Sequence, residues 1–454
     1  MRTRFVILLS VFAFVSSFIL LPSAFPQGSL TPPGPPAPTM KTLTQIEPRT
    51  DVATLSGDSN NRFIITASGS YYFTGNIAGV SAKHGLSIQA DDVTVDLGGF
   101  TLGTVGSTTM NGIDIPNAQV NIVIRNGVIR NWKNGVNAPS TSNSRFENLE
   151  VSNNNSVGLN LFQGSFVRGC VVSNNGSDGI VVHDNSEVID CLSRGNTASG
   201  VFAAGNGNTI ERCTTTANQG AGIAAGVGSV IAGCAAQFNQ SGGIVAISSC
   251  TINSCIVDQN TGIGISTNTS CVITECTVTR SSTDGINSNG ASDVVVANSS
   301  VSNNTGNGIV LGSACRVTGS TISNNGSNAG VELGGNSSIQ NCNVTSNSID
   351  GVLLTSADDC INNNVSLNSR DGIHSISTNG VGFGNRIDGN QVRDNSAGGI
   401  IVDLASAHNL IVRNSAGNNG GTNNYNIASG NKVGPIVTDP SASTANAWAN
   451  FVDP

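Results

Sequence analysis

The sequence predicts an all-β chain wound as a solenoid of about 14 coils, with 21–23 residues per coil. Three observations carry that expectation. A unit of the form V/I-x-x-C-x-V/I-x-x-N-x-x-x-G-I/V recurs, as VRGCVVSNNGSDGI (Val167 to Ile180) and then VIDCLSRGNTASGV (Val188 to Val201). Its residues are β-branched, small or turn-forming. Between residues 85 and 415 no stretch repeats apolar residues at helical spacing with capping signals.

The segments follow in order. Residues 1–24 read as an export signal: Arg2 and Arg4, an apolar run from Phe5 to Leu21, then Pro22, Ser23 and Ala24. The run is long and Pro22 is a poor cleavage-site residue, so a retained anchor is the alternative. Residues 25–40, with TPPGPPAPT, form an extended tether. Residues 41–84 are expected to cap the first coil, because a solenoid's ends expose apolar faces and open strand edges. Residues 85–415 hold the repeats. Residues 416–454 are the C-terminal cap, folded over the last coil with Trp448 and Phe451 as an apolar plug.

Within the repeat, side chains alternate, so Cys170 and Val172 share one face and Ile180 and Val182 another. Val167 to Cys170 is an odd step, so a bend separates them, and one coil holds two or three strands. Stacking coils places like residues in columns about 4.8 Å apart. One column is Asn131, Asn154, Asn175, Asn196, Asn218, Asn239, Asn260, Asn304, Asn347, Asn368 and Asn395, whose amides can hydrogen-bond along the stack. A second is Cys170, Cys191, Cys213, Cys234, Cys255 and Cys276, continued by Ser299, Ser320 and Cys342. A third is the glycine before the aliphatic, suited to positive φ or close backbone approach.

Composition narrows the function. A net charge of −8 and only four lysines argue against nucleic-acid or anionic-membrane partners, which need a basic face. Eleven cysteines in an exported chain invite disulfides, but at repeating inward positions thiols serve as small apolar residues. No C-x-x-C pair supports a zinc site.

These features resemble the right-handed parallel β-helix proteins of pectin-lyase-like fold, and within them a bacterial group of exported β-helix proteins. The resemblance rests on KTLTQIEPRT (Lys41 to Thr50), SGSYYFTGNI, ADDVTVDLGGFTL (Ala90 to Leu102), the repeats, NKVGPIV and WANF. It implies a right-handed coil. It leaves the activity open, since polysaccharide lyases, glycoside hydrolases, epimerases, tailspikes and adhesins share the fold.

Charge gathers late in the chain: residues 350–413 hold 11 Asp, Glu, Lys and Arg, against 9 in the longer span 200–345. Asp350 and Asp371 both precede a glycine of the repeat and should stack on neighbouring coils. Carboxylates that close share a proton or hold a cation such as Ca2+. His374 projects outward, in column with Glu332 two coils earlier. Arg370 or His374 could then serve as the base for proton abstraction from a uronate. The competing reading is turn chemistry, because Asp178 and Asp284 occupy the same column without such company.

Two weaker candidates remain. His183, Asp184, Glu187 and Asp190 form one; a surface salt ladder between Asp190 and Arg212 is its simpler account. SADDC (Ser356 to Cys360) and NSIDG (Asn347 to Gly351) are similar to two segments of polygalacturonase-like hydrolases. They lie too close together, and the expected Gly-His-Gly and Arg-Ile-Lys do not follow.

The expected function is an exported, periplasmic or cell-surface rod that binds polysaccharide or serves structurally. The alternative is a lyase, hydrolase or epimerase acting on an acidic extracellular polysaccharide. Convergence of Asp350, Asp371 and His374 beside the insert STNGVGFGNR (Ser377 to Arg386) is what the enzyme reading expects; scatter is what a plain rod expects.

Overall fold

The computed structural model describes residues 47–105, 109–376, 382–420, 423–439 and 446–453. The segments expected to be an export signal and a tether, and residues 377–381 of the insert, lie outside the described residues. Among the described residues no helix is long and apolar enough to cross a membrane. Among the described residues, the unit from Arg49 to Pro454 is all-β apart from one 3-10 turn, Val52–Thr54.

Each repeat coil contains three short strands, as in Ile180–Val182, Glu187–Ile189 and Leu192–Arg194. All pair in parallel with their counterparts one coil away: Ile180 faces Val201, Val188 faces Ile210, and Ser193 faces Thr215. The first strands form a stack of 17, from Asn61–Ile65 to Tyr425–Ile427. The sequence count of about 14 is therefore too low. Pairing already starts at Asn61–Ile65 with His84–Ile88 and continues to Tyr425–Ile427, beyond the span in which the repeat is visible. Divergent corner residues hide these end coils, because strand pairing itself demands only alternation.

The core is a thin column of Ile, Val, Leu and Cys, nearly all excluded from solvent. Many of its corners follow one pattern. A residue with φ near +55° (Asn174, Ala217 and Asn303 are examples) precedes an inward-pointing polar or thiol side chain. That side chain serves the neighbouring coil: Asn175 Oδ1 accepts from the backbone N–H of Asn154 at 3.1 Å and from its Nδ2 at 2.9 Å. The same pair of bonds links Asn218 to Asn239 and Asn347 to Asn368. Asn325 and Asn419 belong to this ladder too. Asn131 does not. Trp132 stands in register with Asn154 and donates its backbone N–H to it, because that coil is one residue shorter at the bend.

The repeat glycines are selected by close approach rather than by positive φ. A Cβ on Gly243 would lie 2.6 Å from the Gly264 carbonyl oxygen and 2.9 Å from Asn260 Nδ2. All eleven cysteines are buried and unpaired. Cys250 and Cys271 form a second, short column, with the Cys250 N–H 3.4 Å from the Cys271 sulfur.

At the C-terminal end, Asn450–Asp453 adds a parallel strand to Ser415–Gly417. Trp448 and Phe451 are not a plug: they are 55% and 43% exposed, while Ala449 and Asn450 turn inward. Strand alternation decides this, since Asn450 takes the corner position that accepts from the Asn414 N–H at 3.0 Å.

Candidate functional site

Strands Asp350–Leu354, Asp371–Ser375 and Gly398–Val402 lie one above another in the first-strand sheet. Val352 pairs with Ile373 and Leu353 with His374; Ile373 in turn pairs with Ile400 and His374 with Ile401. Ile373 points into the core, so His374 points out. Glu332 stands two coils below it, through Leu353.

The column before the repeat glycine has a general job. Its Asp or Asn accepts the backbone N–H of the next coil: Asp178 from Ser199 at 2.8 Å, Asp284 from Asn307 at 2.8 Å, and Asn307 from Ala329 at 2.9 Å. Asp350 does the same for Asp371 at 3.2 Å. Turn chemistry therefore explains part of Asp350 but not its company.

Arg370 lies against both Asp350 oxygens, with Nε 2.7 Å from Oδ1 and Nη2 in contact with Oδ2. Arg370 Nε also comes within 3.3 Å of Asp371 Oδ2. His374 sits between carboxylates, with Nδ1 3.2 Å from Asp350 Oδ2 and Nε2 3.1 Å from Asp403 Oδ1. Arg370 Nη2 is 2.9 Å from the same Nδ1. An imidazole protonated only at Nε2 satisfies both Arg370 and Asp403. Protonation at Nδ1 exchanges the Arg370 contact for a bond to Asp350.

Four of these groups are displaced from their ordinary pKa, Arg370 upward through its bond to Asp350. Burial would lift Asp350, but hydrogen bonds from His374 and Arg370 outweigh it and hold the carboxyl low. Burial and then the Asp350 charge push Asp371 up. For His374 burial works downward, and the bonds to Asp350 and Asp403 prevail, raising it. Two stacked carboxylates thus titrate apart, as unlike surroundings require.

Asp350, Asp371 and His374 each offer an atom within 4.8 Å of the others. The donor set does not suit Ca2+. That ion takes six to eight oxygens, whereas Asp350 already faces a guanidinium, an imidazole and a backbone N–H. Arg370 supplies the positive charge a cation would bring.

The structure thus brings together Asp350, Arg370, Asp371 and His374. It adds Asp403, which the sequence reading missed. Asp403 lies two residues beyond Ile401, the residue stacked on His374, so following the outward face of that strand one step past its end would have found it.

The weaker candidates disperse. Asp190 pairs with Arg212 at 2.7 Å and Arg168 at 3.5 Å, the expected salt ladder. His183 rests near the Phe162 ring at 5.4 Å, and Asp184 accepts from the Asn206 N–H. Asp358 is buried at a corner, accepting from the backbone N–H groups of Ser337 and Thr355, each at 2.8 Å. Burial raises its pKa to about 7. Asp359 instead belongs to the second-strand sheet, paired with Ser338 and Arg386. His84 Nδ1 accepts from the Asn111 N–H at 3.0 Å.

Comparisons with known proteins follow this geometry. The family model "Right handed beta helix region" matches residues 63–208 and 199–359. No curated protein matches the sequence. Among solved structures, the mannuronan C-5 epimerase AlgE4 A-module of Azotobacter vinelandii is similar at 15% identity. The match covers 76% of this chain and 91% of that one, with a TM-score of 0.31. The periplasmic alginate epimerase AlgG is similar at 12% identity over 75% of this chain and 74% of its own, with a TM-score of 0.35. The Dettilon tailspike (gp208) is similar at 12% identity over 86% of this chain and 62% of its own, with a TM-score of 0.32. At these identities the likeness concerns the fold alone. On its repeat, its parallel coils and the family match, the chain belongs to the right-handed parallel β-helix proteins of pectin-lyase-like fold.

Proposed function

We propose that this chain is an exported polysaccharide-binding rod, in which the cluster of Asp350, Arg370, Asp371, His374 and Asp403 holds an extended glycan. One observation carries this reading. Five ionisable side chains from successive coils meet on the outward side of one sheet, where the bland column chemistry needs only Asp350. Arg370 and Asp403 remain 42% and 49% exposed, so their donors and acceptors can reach a sugar. Convergent polar groups on a long flat face suit hydroxyl and carboxylate recognition.

A second reading, catalysis on an acidic polysaccharide, is favoured by the split pair. Asp371, whose pKa is raised by burial and by the Asp350 charge, and His374, poised between two carboxylates, form an acid–base couple. In that case His374 withdraws the proton next to a uronate carboxyl while Arg370 faces the carboxylate. From that carbanion, expulsion of the 4-O leaving group gives a lyase and return of a proton to the opposite face gives an epimerase; a hydrolase would instead protonate the glycosidic oxygen while water attacks the anomeric carbon.

Affinity electrophoresis of the full chain in gels containing pectate, alginate or sulfated polysaccharide tests both. The recovered polymer is assayed for unsaturated and reducing ends and, by NMR, for C5 inversion. Retardation that Arg370→Ala abolishes, without chemical change, supports the binding rod. Product that Asp371→Asn abolishes while retardation persists establishes the enzyme. No retardation and no product on any polymer sinks both readings.

A further inference from the structure

A second site lies on a different sheet, near the C-terminal end. Here Leu410, Val412, Lys432, Val433, Gly434 and Trp448 line an open cleft of about 330 Å3. Leu410 stands on Arg386 and under Lys432 in the second-strand sheet, so all three project outward in one column. The indole is delivered from the far end of the chain. The Asn450 N–H bonds the Pro435 carbonyl at 2.8 Å, and the Trp448 N–H bonds Asn446 Oδ1 at 2.9 Å. Gly434 permits this approach, because a Cβ there would run into the Trp448 carbonyl oxygen.

The chemistry is an aromatic wall with cations around it. The Arg413 guanidinium lies 5.6 Å from the Trp448 ring centroid. Arg413 and Arg386 both hold Asp388, whose side chain is 1% exposed. Asp388 is therefore fully engaged. Lys432 at the rim is exposed and forms no ion pair among the described residues. Against Arg386, Arg413 and Lys432 stand Asp388 and, one coil below Arg386, Asp359. The surroundings thus carry one surplus positive charge, on a chain whose net charge is −8.

We propose that this cleft is a subsite for one anionic sugar, a hexuronate unit of an acidic polysaccharide. The C–H face of the pyranose stacks on the indole of Trp448, and the ring's other edge meets Leu410 and Val433. Its carboxylate pairs with Lys432. An uncharged apolar partner would leave Lys432 facing a desolvated surface, which is unfavourable. The site does not depend on the Asp350–Asp403 cluster, and its ligand is argued from its own charge and its own indole.

Tryptophan emission reads it directly. The other indole, Trp132, is 1% exposed and hydrogen-bonded to the Leu102 carbonyl, so only Trp448 can report on a surface ligand. The full chain is titrated with trigalacturonate and with mannuronate trimer, and with cellotriose as the neutral control. The expected result is a saturable blue shift or quench with the uronates. It should be absent with cellotriose and in Trp448→Phe, and at least tenfold weaker in affinity in Lys432→Gln. Persistence in Asp371→Asn keeps this site separate from the cluster. Three results would overturn the proposal: no saturable change at millimolar uronate, an unchanged affinity in Lys432→Gln, or a response only to an apolar dye. The last would make the cleft a docking face for an apolar segment.

Discussion

The middle coils, residues 170–276, and the late coils, residues 350–414, share one backbone path and differ in what fills their corners. In the middle coils only one corner of the three carries a full amide ladder, from Asn175 through Asn239 to Asn260. The second corner is a column of thiols, whose sulfurs point to carbonyl oxygens at 3.2–3.8 Å. In the late coils all three corners carry oxygen acceptors. Asn368 and Asn395 continue the first ladder. Asn363, Asn390 and Asn414 replace the thiols, and Asp358, Asn385 and Asn409 fill the third corner. A thiol fills space and donates weakly, whereas an amide fills the same space and satisfies the next coil's backbone N–H. The coils that carry the charged cluster are the ones most firmly tied to each other.

The comparison can be broken at its strongest point. Asn239 makes four side-chain bonds, accepting from the Asn218 N–H and Nδ2 and donating to Thr215 and Asn260. Asn239→Ala should destabilise the middle coils by about 3 kcal/mol, since each orphaned buried group costs on the order of 1–3 kcal/mol. Urea denaturation measures it, and a loss under about 1 kcal/mol would show that the ladder is ornamental. Gly243→Ala should cost about 2–3 kcal/mol by the same assay, because its new Cβ meets backbone that cannot yield.

The late coils should be weakened by rising pH in a way the middle coils are not. Asp358 has its pKa raised from 3.8 to about 7 when folded. Its contribution is full below 3.8 and falls as pH climbs to about 7. His374, raised from 6.5, contributes fully below 6.5 and loses that contribution as pH rises through its folded value. Asp350, held low, acts oppositely and matters only as pH falls below 3.8. Hydrogen exchange of the 350–414 amides at about pH 5 and about pH 8 should reveal the difference, and Asp358→Asn with His374→Gln should flatten it. Protection that is flat in the parent chain would refute the assignment. The smallest effect is expected of Cys234→Ser. Ser299 and Ser320 already occupy that column, accepting or donating at 2.9–3.2 Å, so the change should be under about 1 kcal/mol.

Much of this was legible in one dimension. The 21–23-residue spacing gives the coil, and alternation gives which side chains face in. The shared column of Asp350 and Asp371, and the outward projection of His374, follow from the same two periods. What was lost shows where periodicity fails. Asn131 was misplaced because one bend is a residue short, and Asn325 was passed over because the next bend is a residue long. The first coils escaped because their corners lack the repeat's Asn and Cys, and the last because its corner residues Asn431 and Asn450 come at spacings outside the repeat.

The sequence by itself determined the solenoid, its inward columns and the clustering of charge on the late coils, because a repeated local pattern can only stack on itself. Only the tertiary structure decided the pairings across those coils. Asp403 reaches His374 from just past the end of the neighbouring strand, Arg370 turns back onto Asp350 rather than outward, and Trp448 crosses to the wall of a cleft built from residues 410–434. Each depends on side-chain reach and on chain returning from outside the period, and neither is written in the repeat.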